Sequence, residues 1–386
     1  MGDHMKYVHC LNKISPVGLK QLPETYGLTD DLNQATGILV RSANMHEMVL
    51  PETVRVVARA GAGVNNIPLD ALAKKGVVVF NTPGANRNAV KELVIAGMLI
   101  ASRDIVGGIG WVKDNKQDPD IAKSVEKAKA QFGGTEILGK TIGIVGLGAI
   151  GLELARACIA LGMKVIAVEP NMAQIDRLNI PEQMVIVQEK EDMLPYADFI
   201  SLNLPLLPAT KHMMNEAAFK MMRDGVVLLN FARDQLVDED ALLYALESHK
   251  VKTYVTDFPN EKTANMKGVI AIPHLGASTE EAEDNCAMMA VDHMVDYLEH
   301  GNITHSVNFP SAFLDKKGKV RLTMLMHKNV TEEMILSTLN QEHIVQKVVK
   351  QNQNYQTIIM DFDQQPEQKQ IEQLKQISEI YYIHVC

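Results

Sequence analysis

The stretch Thr141-Ile-Gly-Ile-Val-Gly-Leu-Gly-Ala-Ile-Gly151 constrains this chain more than any other. A largely apolar run, Ile142 to Val145, reaches Gly146, Gly148 and Gly151 and passes into a helical pattern from Leu152 to Leu161. A second apolar run, Val165 to Val168, ends on Glu169, an acid 18 residues beyond the last glycine (169 − 151). Strand, glycine turn, helix, strand and acid in this order and spacing predict a βαβ unit that binds a dinucleotide. Gly146 permits the tight turn, Gly148 lets the backbone approach a pyrophosphate, and Gly151 lets helix and strand pack closely. Ala149 and Ile150 belong to the first helical turn, whose free N–H groups and positive dipole end suit phosphate. Glu169 can accept hydrogen bonds from ribose hydroxyls and would repel a 2′-phosphate, which favours NAD over NADP.

The fingerprint opens the second of two alternating sets. In the first, Gly37 to Val40, Val54 to Ala58 and Val77 to Asn81 read as buried strands, with helices over Leu69 to Lys74 and Ala89 to Arg103. In the second, further strands follow at Phe199 to Leu204, Val226 to Asn230, Thr253 to Asp257 and Val269 to Ile272. Alternation of this kind predicts parallel sheets. The segment Gly107 to Gly134 reads as a connector, and the glycines at 61–63 and 107–110 as turns. After Pro310 a charged linker, Asp315 to Arg321, leads into β-α-β-β-α-β. Those elements are Leu322 to Met326, Glu332 to Leu339, Ile344 to Lys350, Thr357 to Phe362, Glu367 to Ile377 and Ile380 to Val385, the ferredoxin-like order. The fold class is therefore α/β: two Rossmann-like or flavodoxin-like parallel-sheet domains plus a small α+β ferredoxin-like domain.

Composition excludes several classes of function. A net charge of −9 in 386 residues argues against a general nucleic-acid surface. The longest apolar run, Leu93 to Ala101, is too short to span a bilayer, and no charged-then-apolar leader opens the chain. Cys10, Cys158, Cys286 and Cys386 lack metal-ligand or disulfide-motif spacing, so no metal is expected and the thiols read as reduced, as in the cytoplasm.

Three polar groups stand at the ends of apolar strands in the second set, where open α/β sheets place their ligands. Arg233 follows Leu228-Leu-Asn-Phe-Ala, Glu261 follows Val255-Thr-Asp-Phe-Pro-Asn, and His274 follows Val269-Ile-Ala-Ile-Pro. An arginine offers a planar fork to a carboxylate. Histidine as a residue type can take a proton from a hydroxyl, and a carboxylate on its second nitrogen would fix the tautomer. That set suits oxidation of a 2-hydroxy acid by hydride transfer.

Asn230-Phe-Ala-Arg233 with Val237-Asp238, Asp257 with Glu261, and Pro273-His-Leu-Gly-Ala-Ser-Thr-Glu-Glu-Ala282 resemble the D-2-hydroxyacid dehydrogenases. With Ala58-Arg-Ala-Gly-Ala-Gly-Val-Asn-Asn66, they are most similar to the branch that acts on D-3-phosphoglycerate, and the similarity runs from about Ile38 to Pro310. The resemblance implies NAD-dependent oxidation of that phosphorylated 2-hydroxy acid as the first step of L-serine formation. It leaves open a glyoxylate, hydroxypyruvate or D-lactate type enzyme, or an NAD-sensing scaffold. It implies a discontinuous substrate domain, 5–102 with 282–310, around an NAD domain, 103–281, and an ACT-like regulatory domain at 320–386. His274 would be the acid/base, Glu261 its partner, and Arg233 the carboxylate anchor. Asp257 would meet the nicotinamide carboxamide, and Gly276 would also bind the cofactor. Arg59, Ala60, Gly61 and Asn86 would face substrate, with Arg41, Arg59 and Lys91 as phosphate donors. A homodimer or homotetramer is expected. Asp234 stands where the family has glycine, and Asp257 to Glu261 is one residue shorter than usual.

Overall fold

The computed structural model describes residues 5–171, 175 and 178–386. The chain forms two compact units, Met1–Asn86 with Glu280–Cys386, and Arg87–Thr279.

The first unit opens with β1 (Lys6–Cys10), the short helix α1 (Pro16–Leu19), β2 (Tyr26–Leu28), β3 (Ala35–Val40), β4 (Val56–Arg59), α2 (Leu69–Lys74) and β5 (Val78–Phe80). These strands form one parallel sheet in the order β2-β1-β3-β4-β5, the flavodoxin-like winding. β3 and β4 are buried along most of their length, which is why they read as apolar runs rather than alternating ones.

The second unit contains α3 (Arg87–Ser102), α4 (Ile105–Asp114), α5 (Ile121–Ala128), β6 (Thr141–Val145), α6 (Ala149–Ala160), β7 (Lys164–Val168), β8 (Met184–Val187) and β9 (Phe199–Leu202). It continues with α7 (Glu216–Met221), β10 (Val226–Asn230), α8 (Glu239–Glu247), β11 (Val251–Thr256), α9 (Glu261–Ala264) and β12 (Val269–Ala271). Its seven strands lie parallel in the order β12-β11-β10-β9-β6-β7-β8. The strand order reverses between β6 and β9, so the carboxyl ends of those strands flank the crevice where such sheets take their ligands.

α3 departs from expectation. It belongs to the second unit, so the boundary falls at Arg87 and not after residue 102. Val90, Val94, Met98 and Ala101 are buried in one cluster with Leu154, Ala155 and Phe231, which fixes the helix to that unit. The expected connector holds α4 and α5, and Gly107, Gly108 and Gly110 lie inside α4 rather than in a turn. Asp104 caps that helix by accepting from the Gly107 N–H at 2.8 Å, which offsets the cost of the glycines. No single helix among the described residues is long and apolar enough to cross a membrane; the α3–α4 pair is bent by 68°.

From Glu280 the chain returns to the first unit through α10 (Glu280–His300), whose Ala287, Ala290, Val291 and Met294 pack on the five-stranded sheet. The tail follows as β13 (Val320–His327), α11 (Glu332–Leu336), β14 (Ile344–Gln351), β15 (Tyr355–Phe362), α12 (Gln368–Lys375) and β16 (Ile380–Val385). Its sheet is antiparallel, ordered β14-β15-β13-β16. The tail clusters with the first unit rather than apart from it. Arg321, expected in a solvated linker, is fully buried and donates to Asp361 from Nε at 2.6 Å and Nη2 at 3.0 Å. Its Nη1 donates to the His300 carbonyl and Asn302 Oδ1, both at 2.9 Å, tying the tail to the end of α10.

Candidate functional site

β6 delivers Gly146 to the crevice with φ +98°, the left-handed region that favours glycine. A Cβ there would lie 2.8 Å from the Asn203 carbonyl oxygen, and one on Gly151 would lie 2.0 Å from that of Gly146. Packing therefore demands both glycines. Gly148 is different: a Cβ on it would meet nothing within 4 Å, and it is exposed. It is the N-cap of α6 and no side chain bonds the helix start. The first-turn amides, those of Ala149, Ile150 and Gly151, follow that uncapped end. A loop with open space over its middle glycine and an uncapped helix behind it fits a pyrophosphate. Glu169 follows β7 and accepts the Asn171 N–H at 3.0 Å through Oε1.

A second cluster lies at the carboxyl edge of the same sheet. β10, β11 and β12 are neighbours in register, Asn230 opposite Thr256 and Thr256 opposite Ala271. The residues just past their ends are consequently brought together. The Arg233 guanidinium carbon lies 5.3 Å from the centroid of the Phe258 ring. The His274 ring packs on Phe258 with centroids 4.5 Å apart and planes tilted by 45°. His274 has φ +35°, and its N–H donates to the carbonyls of Asp257 at 3.0 Å and Ile272 at 3.1 Å. That turn leaves the imidazole exposed.

Asp257 is 1 % exposed, and its Oδ2 accepts the buried Gly276 N–H at 2.9 Å. Its Oδ1 is buried without a hydrogen-bond partner. Burial pushes the Asp257 carboxyl above its ordinary range, opposed by the Gly276 N–H and by the charges of His274 and Arg233. An orphaned, buried carboxylate oxygen beside the crevice is the acceptor that a ligand amide would satisfy.

Asn230 and Phe258 carry more of this geometry than sequence reasoning assigned them. Asn230 is fully buried, donates through Nδ2 to the Arg233 carbonyl at 2.7 Å and accepts the Ala232 N–H at 3.2 Å. It thereby closes the turn that presents Arg233. Asparagine two or three residues before a strand-end arginine was the available signal, since Asn bonds backbone just ahead of it.

Glu261 is exposed at the first position of α9, and among the described residues no hydrogen bond joins it to His274. The carboxylate that feels the His274 charge is Asp257.

In the first unit, Arg41 and Arg59 lie at the same edge of neighbouring strands, Val40 pairing with Arg59. Arg41 Nη1 is 2.7 Å from Glu283 Oε1. The Arg59 guanidinium folds over Gly61, where a Cβ would sit 2.4 Å from Nη1. Ala60 is buried and donates to the Val40 carbonyl, and Asn86 Oδ1 is buried without a partner. Lys91 stands on α3, in the second unit, and donates to Asn88 Oδ1 at 2.6 Å.

Residues 95–276 match the family described as "D-isomer specific 2-hydroxyacid dehydrogenase, NAD binding domain". The hydroxypyruvate reductase of Thermotoga maritima is 34% identical over 267 residues, which cover 66% of this chain and 82% of that protein. The chain belongs to the D-isomer-specific 2-hydroxyacid dehydrogenase family. Among its relatives in this family is the D-3-phosphoglycerate dehydrogenase of Rattus norvegicus, 34% identical over 313 residues, covering 78% of this chain and 56% of that one. The chain thus spans about half the length of the curated D-3-phosphoglycerate dehydrogenases it matches. A solved dehydrogenase structure of this kind, a 3-phosphoglycerate dehydrogenase with NAD+ bound from Entamoeba histolytica, superposes with a TM-score of 0.62 at 25% identity. That match covers 80% of this chain and 99% of the other. The glycine loop and the strand ends at 233, 257 and 274 all lie in the span that matches the family's NAD-binding domain.

A valine at Gly148 should leave the melting temperature unchanged, because the space above it is open. It should weaken NADH binding about tenfold or more, or ~1.4 kcal/mol. Calorimetric titration alongside a thermal melt checks both halves.

Proposed function

We infer that this protein oxidises D-3-phosphoglycerate to 3-phosphohydroxypyruvate with NAD, in the cytoplasm, as the first step of L-serine biosynthesis. The observation that carries the reading is the convergence of Arg233 and His274 on one aromatic ring that directly follows buried Asp257, at the carboxyl edge of the sheet that bears the glycine loop.

Arg233 holds the substrate carboxylate with its fork and draws charge toward the C2 oxygen. His274 takes the C2 hydroxyl proton during oxidation and returns it during reduction. Asp257 balances the charge on His274 while it holds that proton, and its unpartnered Oδ1 would hold the nicotinamide carboxamide. When bound, NAD supplies the acceptor for the C2 hydrogen and its electron pair. Glu261 has the smallest part in this reading, since it stands at the head of α9 without a bond to the imidazole.

Purified protein assayed with NADH against phosphohydroxypyruvate, hydroxypyruvate and glyoxylate tests the substrate. Phosphohydroxypyruvate should give the highest kcat/KM by about 10- to 100-fold, the worth of one charge-assisted contact to the phosphate. A preference for hydroxypyruvate would support the second reading, a hydroxypyruvate reductase. The Arg41–Glu283 ion pair favours that reading, because it already neutralises one of the two guanidiniums assigned to the phosphate.

A further inference from the structure

Phe258 has a ring contact with both side chains on which the proposed chemistry depends, yet it carries no chemistry of its own. Its ring is half-buried, with the Arg233 guanidinium over it at 5.3 Å and the His274 imidazole against it at 4.5 Å. The backbone that carries the ring is itself held. The Phe258 N–H donates to Thr256 Oγ1 at 3.0 Å, and Thr256 is fully buried in β11. Arg233 is anchored at its backbone by Asn230, and its Nη1 reaches only the neighbouring Ala232 carbonyl. Among the described residues, no carboxylate within salt-bridge distance fixes the direction of its fork, and no hydrogen bond fixes the His274 ring.

The aromatic face is what remains to orient both groups. A guanidinium prefers to lie parallel to or above a π-face, and an imidazole packed on a ring loses rotamer freedom. In this chain the aromatic residue follows directly on the buried aspartate.

We propose that Phe258 is a positioning residue that holds the Arg233 fork and the His274 imidazole toward one substrate molecule. The inference rests on the dehydrogenase reading and deepens it. Leucine at 258 keeps the apolar bulk and removes the π-face; tyrosine keeps the face. Phe258→Leu should lower kcat/KM for the preferred 2-keto acid by about 5- to 30-fold, the combined worth of one cation–π and one aromatic contact. The loss should divide between KM, through Arg233, and kcat, through His274, while NADH affinity stays within about twofold of wild type at a resolution of ~0.4 kcal/mol. Phe258→Tyr should restore most of the loss.

A readout independent of turnover is the ring-current shift on the His274 C–H protons, identified by their absence in His274→Asn. They should be displaced in the wild-type and Phe258→Tyr proteins and move toward the random-coil position in Phe258→Leu. Three results overturn the inference: unchanged kinetics in Phe258→Leu, failure of tyrosine to rescue, or a parallel fall in NADH affinity. A wild-type protein that reduces none of the 2-keto acids contradicts the dehydrogenase reading instead. The histidine shift then still decides whether the ring holds the imidazole.

Discussion

Replacing His274 by asparagine should reduce turnover by about 10²- to 10⁴-fold, the usual worth of a positioned acid/base, with NADH binding nearly unchanged. Asparagine fills a similar volume and keeps a polar end, but it cannot hold a proton during catalysis. The backbone that presents the residue should survive, because its N–H bonds to the Asp257 and Ile272 carbonyls do not involve the side chain. The positive φ of +35° is also tolerated by asparagine better than by most residues, which keeps the turn intact. Loss confined to kcat is therefore the expected signature, read by steady-state kinetics beside an NADH titration. Near-full turnover in this variant would remove His274 from the chemistry.

The largest effect on stability is expected at Arg321. Its side chain and that of Asp361 are both fully buried, opposite each other on antiparallel β13 and β15, and joined by two parallel hydrogen bonds. Substitution by methionine would leave the Asp361 carboxylate buried with only the Lys317 N–H at 2.9 Å and Gln346 Nε2 at 2.7 Å. Breaking such a pair costs about 3–5 kcal/mol, because one charge remains in the interior uncompensated. The transition that includes the tail should fall by roughly 6–20 °C. Replacing Asp361 by leucine in the same protein should recover part of the loss, since an apolar pair of similar volume is often neutral.

The same pair gives a pH dependence of definite sign. Burial pushes the Asp361 carboxyl up, but hydrogen bonds from Arg321, Lys317 and Gln346 outweigh it and hold the group below its ordinary range. A carboxylate depressed in the folded state adds stability above its unfolded pKa of about 3.9 and loses it as pH falls through the folded value. Urea unfolding at pH 7 and near pH 3 should therefore show the gap between wild type and Arg321→Met narrowing in acid.

The glycine loop, the β10–β12 strand ends and the β-α-β-β-α-β tail were legible because their signals are local: apolar runs, turn residues and short spacings. Arg321 was not. It sits in a run of charges, Lys316, Lys317, Lys319 and Arg321, that reads as a solvated linker, and its partner lies 40 residues away. β1 was missed because Lys6-Tyr-Val-His-Cys10 buries only Val8, so neither an apolar run nor a clean alternation marks it. Ala89 to Arg103 was recognised as a helix but given to the wrong unit, since periodicity shows that a face is buried without showing against what. Phe258 illustrates the same limit at the site. Its contacts join three strand ends separated by 25 and 16 residues (258 − 233 and 274 − 258), which only the sheet order brings together.

The most direct test of the account follows the transferred atom. Phosphohydroxypyruvate is to be reduced with NADH carrying deuterium at C4, and the product examined by proton NMR. The account predicts 3-phosphoglycerate of D configuration with deuterium at C2, formed by the wild type and nearly lost in His274→Asn. Deuterium retained on the cofactor with phosphohydroxypyruvate, hydroxypyruvate and glyoxylate alike, while NADH still binds, would contradict it.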